Sequence, residues 1–463
     1  MNNDYSLKRN TFLVSLIIGL HFLWSGSSYL SWLYNLLDII EVNHISANAD
    51  IISEGIAYLF QTVGILSACI FIKKTGMEFS KSSNIFILIS VVHLILIFPS
   101  IIADSYYPVL CIGLFTNILI GFETGYYLIM ITELLPGNRR GFAFGLGYSI
   151  GSVGSWILSL IGEGNFLKSN YSICVYVFFL LIIVGIFHLI DTNTFIDSSA
   201  QAKELDKKLI AVTGVAILML CIVKGIGFYF PLADITTGNA SLELSRAFYA
   251  IGLLLAGVIN DYKRQFGAFA CIGALAFPFI LLCLTFSPTY SFYLWILGYV
   301  FTGFYAVYRV IVFSDISDRT PNGLFLAPLG LMFGRLGDAL GAIIGVSLSD
   351  TRTVLVFTGA GFFIITIIVC FFAFLKLYVT VPAATKEHSM SAEEKLANYT
   401  IYHDLSVREK EVLPLIIEGL TNSEISNILF VSENTIKFHV KNILKKTGCS
   451  NRRELLRNYS EYH

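Results

Sequence analysis

The chain is 463 residues long, 55% hydrophobic and 14% charged, with a net charge of −1 and a mean hydropathy of +0.72. A soluble domain carries about 25% charge, so this composition excludes a single water-soluble globule and belongs to a polytopic membrane protein. No phosphate-cradling glycine loop, HExxH or paired-carboxylate motif is present, so neither an enzymatic activity nor a cofactor is expected. The eight cysteines form no CxxC and no cluster with histidine; seven lie in apolar stretches and one is Cys449. They are expected to act as small hydrophobes with no disulfide or metal role.

In chain order, Met1–Asn10 carries Lys8 and Arg9 ahead of a long apolar run without a small-residue cleavage site. This predicts a first membrane helix, not a removable signal peptide. Runs able to cross ~30 Å of hydrocarbon fall near 11–37, 51–72, 84–102, 108–133, 141–162 and 171–190. A polar loop, Asp191–Lys208, separates them from six more near 209–230, 244–260, 266–286, 292–313, 323–348 and 354–378. Twelve spans are expected, filling residues 1–380 as halves 1–190 and 209–380 joined by the linker 191–208.

Fourteen lysines and arginines fall in one set of loops and two, Lys168 and Arg352, in the other. The excess predicts a cytoplasmic-membrane protein with both termini in the cytoplasm. The halves also repeat. At an offset of 183, Gly147, Gly151, Gly154 and Gly162 fall on Gly330, Gly334, Gly337 and Gly345. At 182, Gly121, Tyr126, Ile129 and Glu133 fall on Gly303, Tyr308, Ile311 and Asp315. Small residues let membrane helices approach closely, but packing alone does not require a shared register. Two similar six-helix bundles are expected. Six plus six spans, a polar central loop, parallel halves and the loop Gly257–Gly267, which holds Asp261 and Arg264, resemble the major facilitator fold. That resemblance implies that acid and base in this loop contact neighbouring helix ends.

Ionisable residues deep in a membrane are costly and are functional candidates by default. Here they are Glu123 in span four, Lys224 in span seven, Arg309 in span ten, and Arg335 with Asp338 in span eleven. His21, Glu54 and His93 read as lying nearer the ends of their spans. Arg335 and Asp338, three apart, share a helical face and could pair with each other, while Glu123 could neutralise Lys224 or Arg309. One alternative is pairing that only fixes the bundle. The sharper alternative adds Trp24, Tyr126, Tyr127, Tyr305 and Tyr308 to these charges and predicts a site for a small anionic or aromatic ligand.

Residues 381–403, with Pro382 and mixed charges, read as a linker, with a short helix capped by Ser391 and Glu394. As coil it would span roughly 25–30 Å. Residues 404–463 are expected to form a four-helix domain. A helix from about Ser406 to Glu418 opens with a Ser406/Glu409 capping box and stops at Gly419. Thr421 caps a second helix, and Ser432 a third that runs to about Lys446. The third buries Ile436, Val440, Ile443 and Leu444 and turns Lys437, His439, Lys441, Lys445 and Lys446 outward. Two helices with a short turn between them, the second basic and capped, have the shape of a DNA-reading helix-turn-helix. Residues 433–457 carry a net charge of +5, seven Lys/Arg against Glu433 and Glu454, although 386–463 is balanced at eleven of each sign. A neutral domain with one basic face suits phosphate attraction.

The run Leu405, Arg408, Glu409, Glu411, Val412, Leu413, then Gly419, Leu420, Thr421, Asn422, Glu424, Ile425 opens a recognisable pattern. It continues through Val431, Ser432, Thr435, Lys437, His439, Asn442 and Ile443 to Gly448, Arg452, Glu454 and Leu455. In this spacing it resembles the LuxR/GerE-type helix-turn-helix of bacterial transcription regulators. The resemblance implies that the third helix enters the major groove, and in that family the fourth often dimerises. Lys437, Phe438 and Lys441 would face bases or phosphates, with Thr435 and Lys445 near the backbone. The expected protein is thus all-α: a twelve-span, major-facilitator-like bundle followed by a helix-turn-helix domain. Its expected partners are promoter DNA, membrane lipid, a small-molecule ligand and a second copy of the chain on DNA.

Overall fold

The computed structural model describes residues 2–45, 49–75, 79–162, 164–190, 206–233, 242–275, 288–320, 322–348, 351–379 and 392–461. The expected linker 191–208 lies outside them up to residue 205, as do Ser391 and the later part of the ninth span. The described chain is helical and separates into two compact units, Met1–Leu377 and Tyr378–His463.

The first unit contains α1 (Asn2–Val42), α2 (Ala49–Thr75), α3 (Phe79–Ile102), α4 (Tyr106–Leu134), α5 (Gly137–Leu160) and α6 (Tyr171–Phe187). Its second half contains α7 (Lys207–Ala233), α8 (Leu242–Tyr262), α9 (Arg264–Ala274), α10 (Pro288–Asp318), α11 (Leu329–Ser347) and α12 (Arg352–Phe374). Among the described residues nine helices are long and apolar enough to cross a membrane, and α6 and α8 contribute shorter apolar helices. One helix stands at each of the twelve expected spans, the ninth described only over its first 11 residues. At ~1.5 Å per residue, the 41 residues of α1 reach well beyond the hydrocarbon layer.

The packing carries the repeat that the glycine register implied. α1 packs on α5 and α6, and α2 on α4; six helices later, α7 packs on α11 and α12, and α8 on α10. The seam between the halves obeys the same exchange, α5 against α8 and α2 against α11. Glycine makes the equivalent crossings possible: a methyl group at Gly121 would overlap the Gln61 carbonyl of α2, and one at Gly303 the backbone of Gly252 in α8. At one end of the bundle the Gly141 and Phe142 N–H groups, in the first turns of α5, donate to Asp261 at 2.8 and 2.6 Å. Arg264 Nε donates to Asp315 at 2.8 Å, and Arg140 grips Asp318 bidentately at 2.6 and 3.0 Å. The acid and base of the 257–267 loop therefore do contact neighbouring helix ends. Because Asp261 ties α8 to α5 through these two amides, Asp261→Ala is expected to loosen this end, read as faster amide exchange in the first turns of α5.

The second unit contains α13 (Ala392–Tyr402), α14 (Val407–Ile417), α15 (Asn422–Leu429), α16 (Glu433–Thr447) and α17 (Arg452–Glu461). The last four are the expected tetrahelical domain. α13 departs from the linker expected over 381–403, because its Tyr399 is wholly buried in the same core as Leu413, Ile425, Ile436 and Leu455. The Tyr399 hydroxyl also bonds Asn458 at 2.7 Å.

Candidate functional site

The helix-turn-helix is α15, a turn and α16. Its local geometry follows from capping chemistry. Ser406 accepts from the Glu409 amide while the Ser406 amide donates to Glu409 Oε2 at 2.7 Å. Thr421 and Glu424 make a second, reciprocal box, more than the single Thr421 cap expected from the sequence. Ser432 caps α16 by accepting from the Thr435 amide at 3.2 Å. The turn is made at Phe430, whose φ of 53° places it in the left-handed region; α14 and α16 end at Gly419 and Gly448 with φ of 90° and 70°. These stops fix the angle at which α16 is presented.

Ile436 and Ile443 are buried and Val440 and Leu444 pack beside them. This leaves Lys437, Lys441 and Lys445 exposed at i, i+4 and i+8 in one stripe. Phe438 lies next to that stripe at 61% exposure. Thr435 is half-buried, its hydroxyl 2.8 Å from that of Ser432, and Lys437 pairs with Glu433 at 2.9 Å. The five residues expected to meet DNA thus share one helix, and four of them are open to solvent.

The charge count of the sequence nevertheless overstates this face. Lys446 turns back to Glu409 at 2.7 Å and to the Asp404 carbonyl at 2.8 Å. Arg452 donates to the Ile416 carbonyl at 3.2 Å and to that of Leu420, closing the end of α14. Burial alone would raise the Glu409 carboxyl, but hydrogen bonds from Lys446 and Ser406 outweigh it and hold the group below its ordinary value of 4.5. A depressed carboxylate stabilises the fold above its unfolded pKa and loses that contribution as pH falls through its folded value. Acid is therefore expected to loosen the α14–α16 contact from about pH 4.5 downward. Ser406→Ala should cost about 1 kcal/mol at neutral pH. Amide-exchange protection across α14 in the full-length protein checks both.

In the membrane unit the structure regroups the expected charges. Glu123 pairs with neither Lys224 nor Arg309: its Oε2 lies 3.0 Å from His21 Nε2 and 3.3 Å from His93 Nδ1. Ser28 meets the other nitrogen of His93 at 3.0 Å. The two histidines are deep in the bundle and not near span ends; they are 1% and 0% exposed. The side chain of Glu54 lies outside the described residues. Asp338 does not take Arg335 as its partner either. It lies 2.6 Å from Lys224 and 3.2 Å from Arg309, because helical neighbours at i, i+3 lose to charges offered across α7, α10 and α11. Arg335 instead stacks over the Tyr58 ring, 4.8 Å from its centroid.

Of the aromatics, Tyr126 is buried against Phe86 at 5.1 Å, an apolar packing position, and Tyr308 is half-buried. Trp24 packs on His93 at 4.7 Å, and Tyr127 donates to the Tyr148 hydroxyl at 3.0 Å. Among the described residues no group of three or more His, Cys, Asp or Glu is arranged to hold a metal ion. His21, His93 and Tyr58 are partners that sequence position alone did not supply; an apolar-span histidine was the available signal.

Residues 403–458 match the family of bacterial regulatory proteins described as luxR family (GerE). The probable csgAB operon transcriptional regulatory protein of Salmonella typhimurium is 41% identical over 71 residues, 13% of this chain and 33% of that protein. Regulatory protein SdiA of Escherichia coli is 46% identical over 52 residues, 11% of this chain and 22% of that protein. The chain spans a third or less of the length of these relatives. In structure, the human organic anion transporter MFSD10 superposes with a TM-score of 0.56 at 12% identity, covering 78% of this chain and 99% of that one. That likeness shows the fold.

Proposed function

From a luxR-type helix-turn-helix at 403–458 and a multi-pass bundle of the major facilitator fold before it, we propose that the chain is a membrane-embedded transcription regulator. In this reading the bundle senses a small molecule and the helix-turn-helix reports its occupancy to promoter DNA. The observation that carries it is the presence of both units in one chain. A ligand would shift the bundle between states by its differential affinity for them. α16 would enter the major groove, with Lys437, Phe438 and Lys441 toward bases or phosphates and Thr435 and Lys445 toward the backbone. The protein would bind as a homodimer from the cytoplasmic membrane. The lysine and arginine asymmetry of the loops supports both termini lying in the cytoplasm, which a DNA reader needs.

The test uses full-length protein in nanodiscs mixed with sheared DNA of its own genome. Discrete fragments should be retained and released by salt; retention indifferent to sequence and salt alike would refute the proposal. Independently, a fluorescent-protein reporter fused after His463 should light up, whereas an alkaline phosphatase fused there should stay inactive.

A second reading is favoured by the 99% coverage of a transporter's chain: the bundle moves its ligand, and the DNA-binding unit autoregulates the operon. Uptake by sealed vesicles separates the two, since a sensor binds its ligand without net flux.

A further inference from the structure

We infer that the membrane unit binds a small organic anion between Arg309, Arg335 and Lys224, at the seam of its two halves. The inference rests on the sensing reading of that unit and supplies the chemical class of its ligand. Lys224 on α7 and Arg309 on α10 close on one carboxylate, Asp338, and Arg335, one turn before Asp338 on α11, stacks on Tyr58 without pairing with that carboxylate. Among the described residues, three cations against one anion leave a charge of +2. Asp338 is 2% and Arg309 6% exposed, and the Lys224 side chain 14%.

Unneutralised charge in such a place is costly and persists where another group supplies the missing sign. Glu123 does not supply it, being held by His21 and His93. Among the described residues Arg335 has no carboxylate partner; it rests on the Tyr58 ring, and its surroundings include Arg309 and Tyr148. Arg309 Nε is a buried donor with no acceptor among the described residues. A carboxylate bound here would accept from that unpaired donor and balance one cation, and a dianion would balance two. Gly334 is part of the arrangement, because a methyl group there would stand 2.7 Å from Arg309 Cδ and Nη1.

Tyr58 and Tyr148 come from α2 and α5, the first-half helices that face α11 and α8 across the seam. The anion would therefore touch both halves at once, which is where an occupant biases their packing. The rings favour a ligand with a flat or apolar body behind its charged end.

The experiment takes full-length protein in nanodiscs of phosphatidylcholine and follows thermal unfolding by intrinsic fluorescence. The probes are benzoate and succinate, with uncharged benzamide and cationic benzylamine as controls. One or both anions should raise the midpoint with concentration while the controls do not. Arg335→Gln should weaken the apparent affinity at least tenfold, and Arg335→Lys should retain part of it. A response shared by the controls, no response to either anion, or an unchanged affinity in Arg335→Gln overturns the proposal. So does loss of the anion response when phosphatidylglycerol is added, which would assign the charge to a lipid headgroup. Retention of genomic DNA by the same samples separates the two readings. Anion binding without a change in retention supports the site and refutes the sensing role. Retention that responds to other compounds while the anions fail to bind overturns the site and leaves sensing standing.

Discussion

Replacing Lys437 and Lys441 together by alanine is expected to lower the slope of log K against log salt by about two, at roughly 0.9 for each lost phosphate contact. Both side chains are exposed on α16, and alanine is the better helix former, so the domain should remain folded. The effect will be largest at low salt, where released counterions drive binding hardest. Lys446→Ala is the internal control: its ammonium is engaged by Glu409 and Asp404, so it should reduce stability and leave the slope alone. Phe438→Ala should also spare the slope but blur discrimination among sequences, since an aromatic edge reads thymine methyls and not phosphates. Fluorescence anisotropy with labelled fragments over a salt series measures all four proteins. If the double variant keeps the wild-type slope, α16 is not the helix that meets the phosphates.

Asp338→Asn should be the most damaging single change in the membrane unit. Asparagine keeps the shape and removes the only carboxylate that the described structure places beside Lys224 and Arg309. Removing one partner of a buried pair typically costs 3–5 kcal/mol, roughly, because the other charge stays buried and uncompensated. The expected result is a sharply lower unfolding temperature in detergent and poor recovery from membranes. Lys224→Met in the Asp338→Asn background should restore part of the loss, because one stranded cation goes with it. If the single and double variants unfold alike, Lys224 is not balanced by Asp338.

The parts of this architecture legible in the sequence are those with local or periodic causes. Apolar runs of span length, the Gly147/Gly330 register and the cap residues Ser406, Thr421 and Ser432 each announce themselves within a few turns of chain. Tertiary pairing was much less legible. Arg335 and Asp338 are ideally spaced to meet on one helix, yet Asp338 is taken by cations from α7 and α10, and Arg335 by a ring from α2. Glu123 meets two histidines, one 102 and the other 30 residues distant, and no periodicity encodes that. The inward turns of Lys446 and Arg452 were hidden for a related reason. A formal charge count does not register which basic side chains have carbonyls or carboxylates within reach. The place of α13 in the second unit is not legible locally, because its anchor, Tyr399, is set by a core that runs from Leu405 to Leu455 and by Asn458.

That anchor has a mechanical consequence. Tyr399 ties the first helix of the unit to the last, through Asn458 at 2.7 Å and the Tyr459 ring at 5.2 Å. Torque applied to the chain at Ala392 would thus load α17 through a short lever. Were α17 to pair two copies, as the proposed function has it, a pull at Ala392 would act on their association through Tyr399.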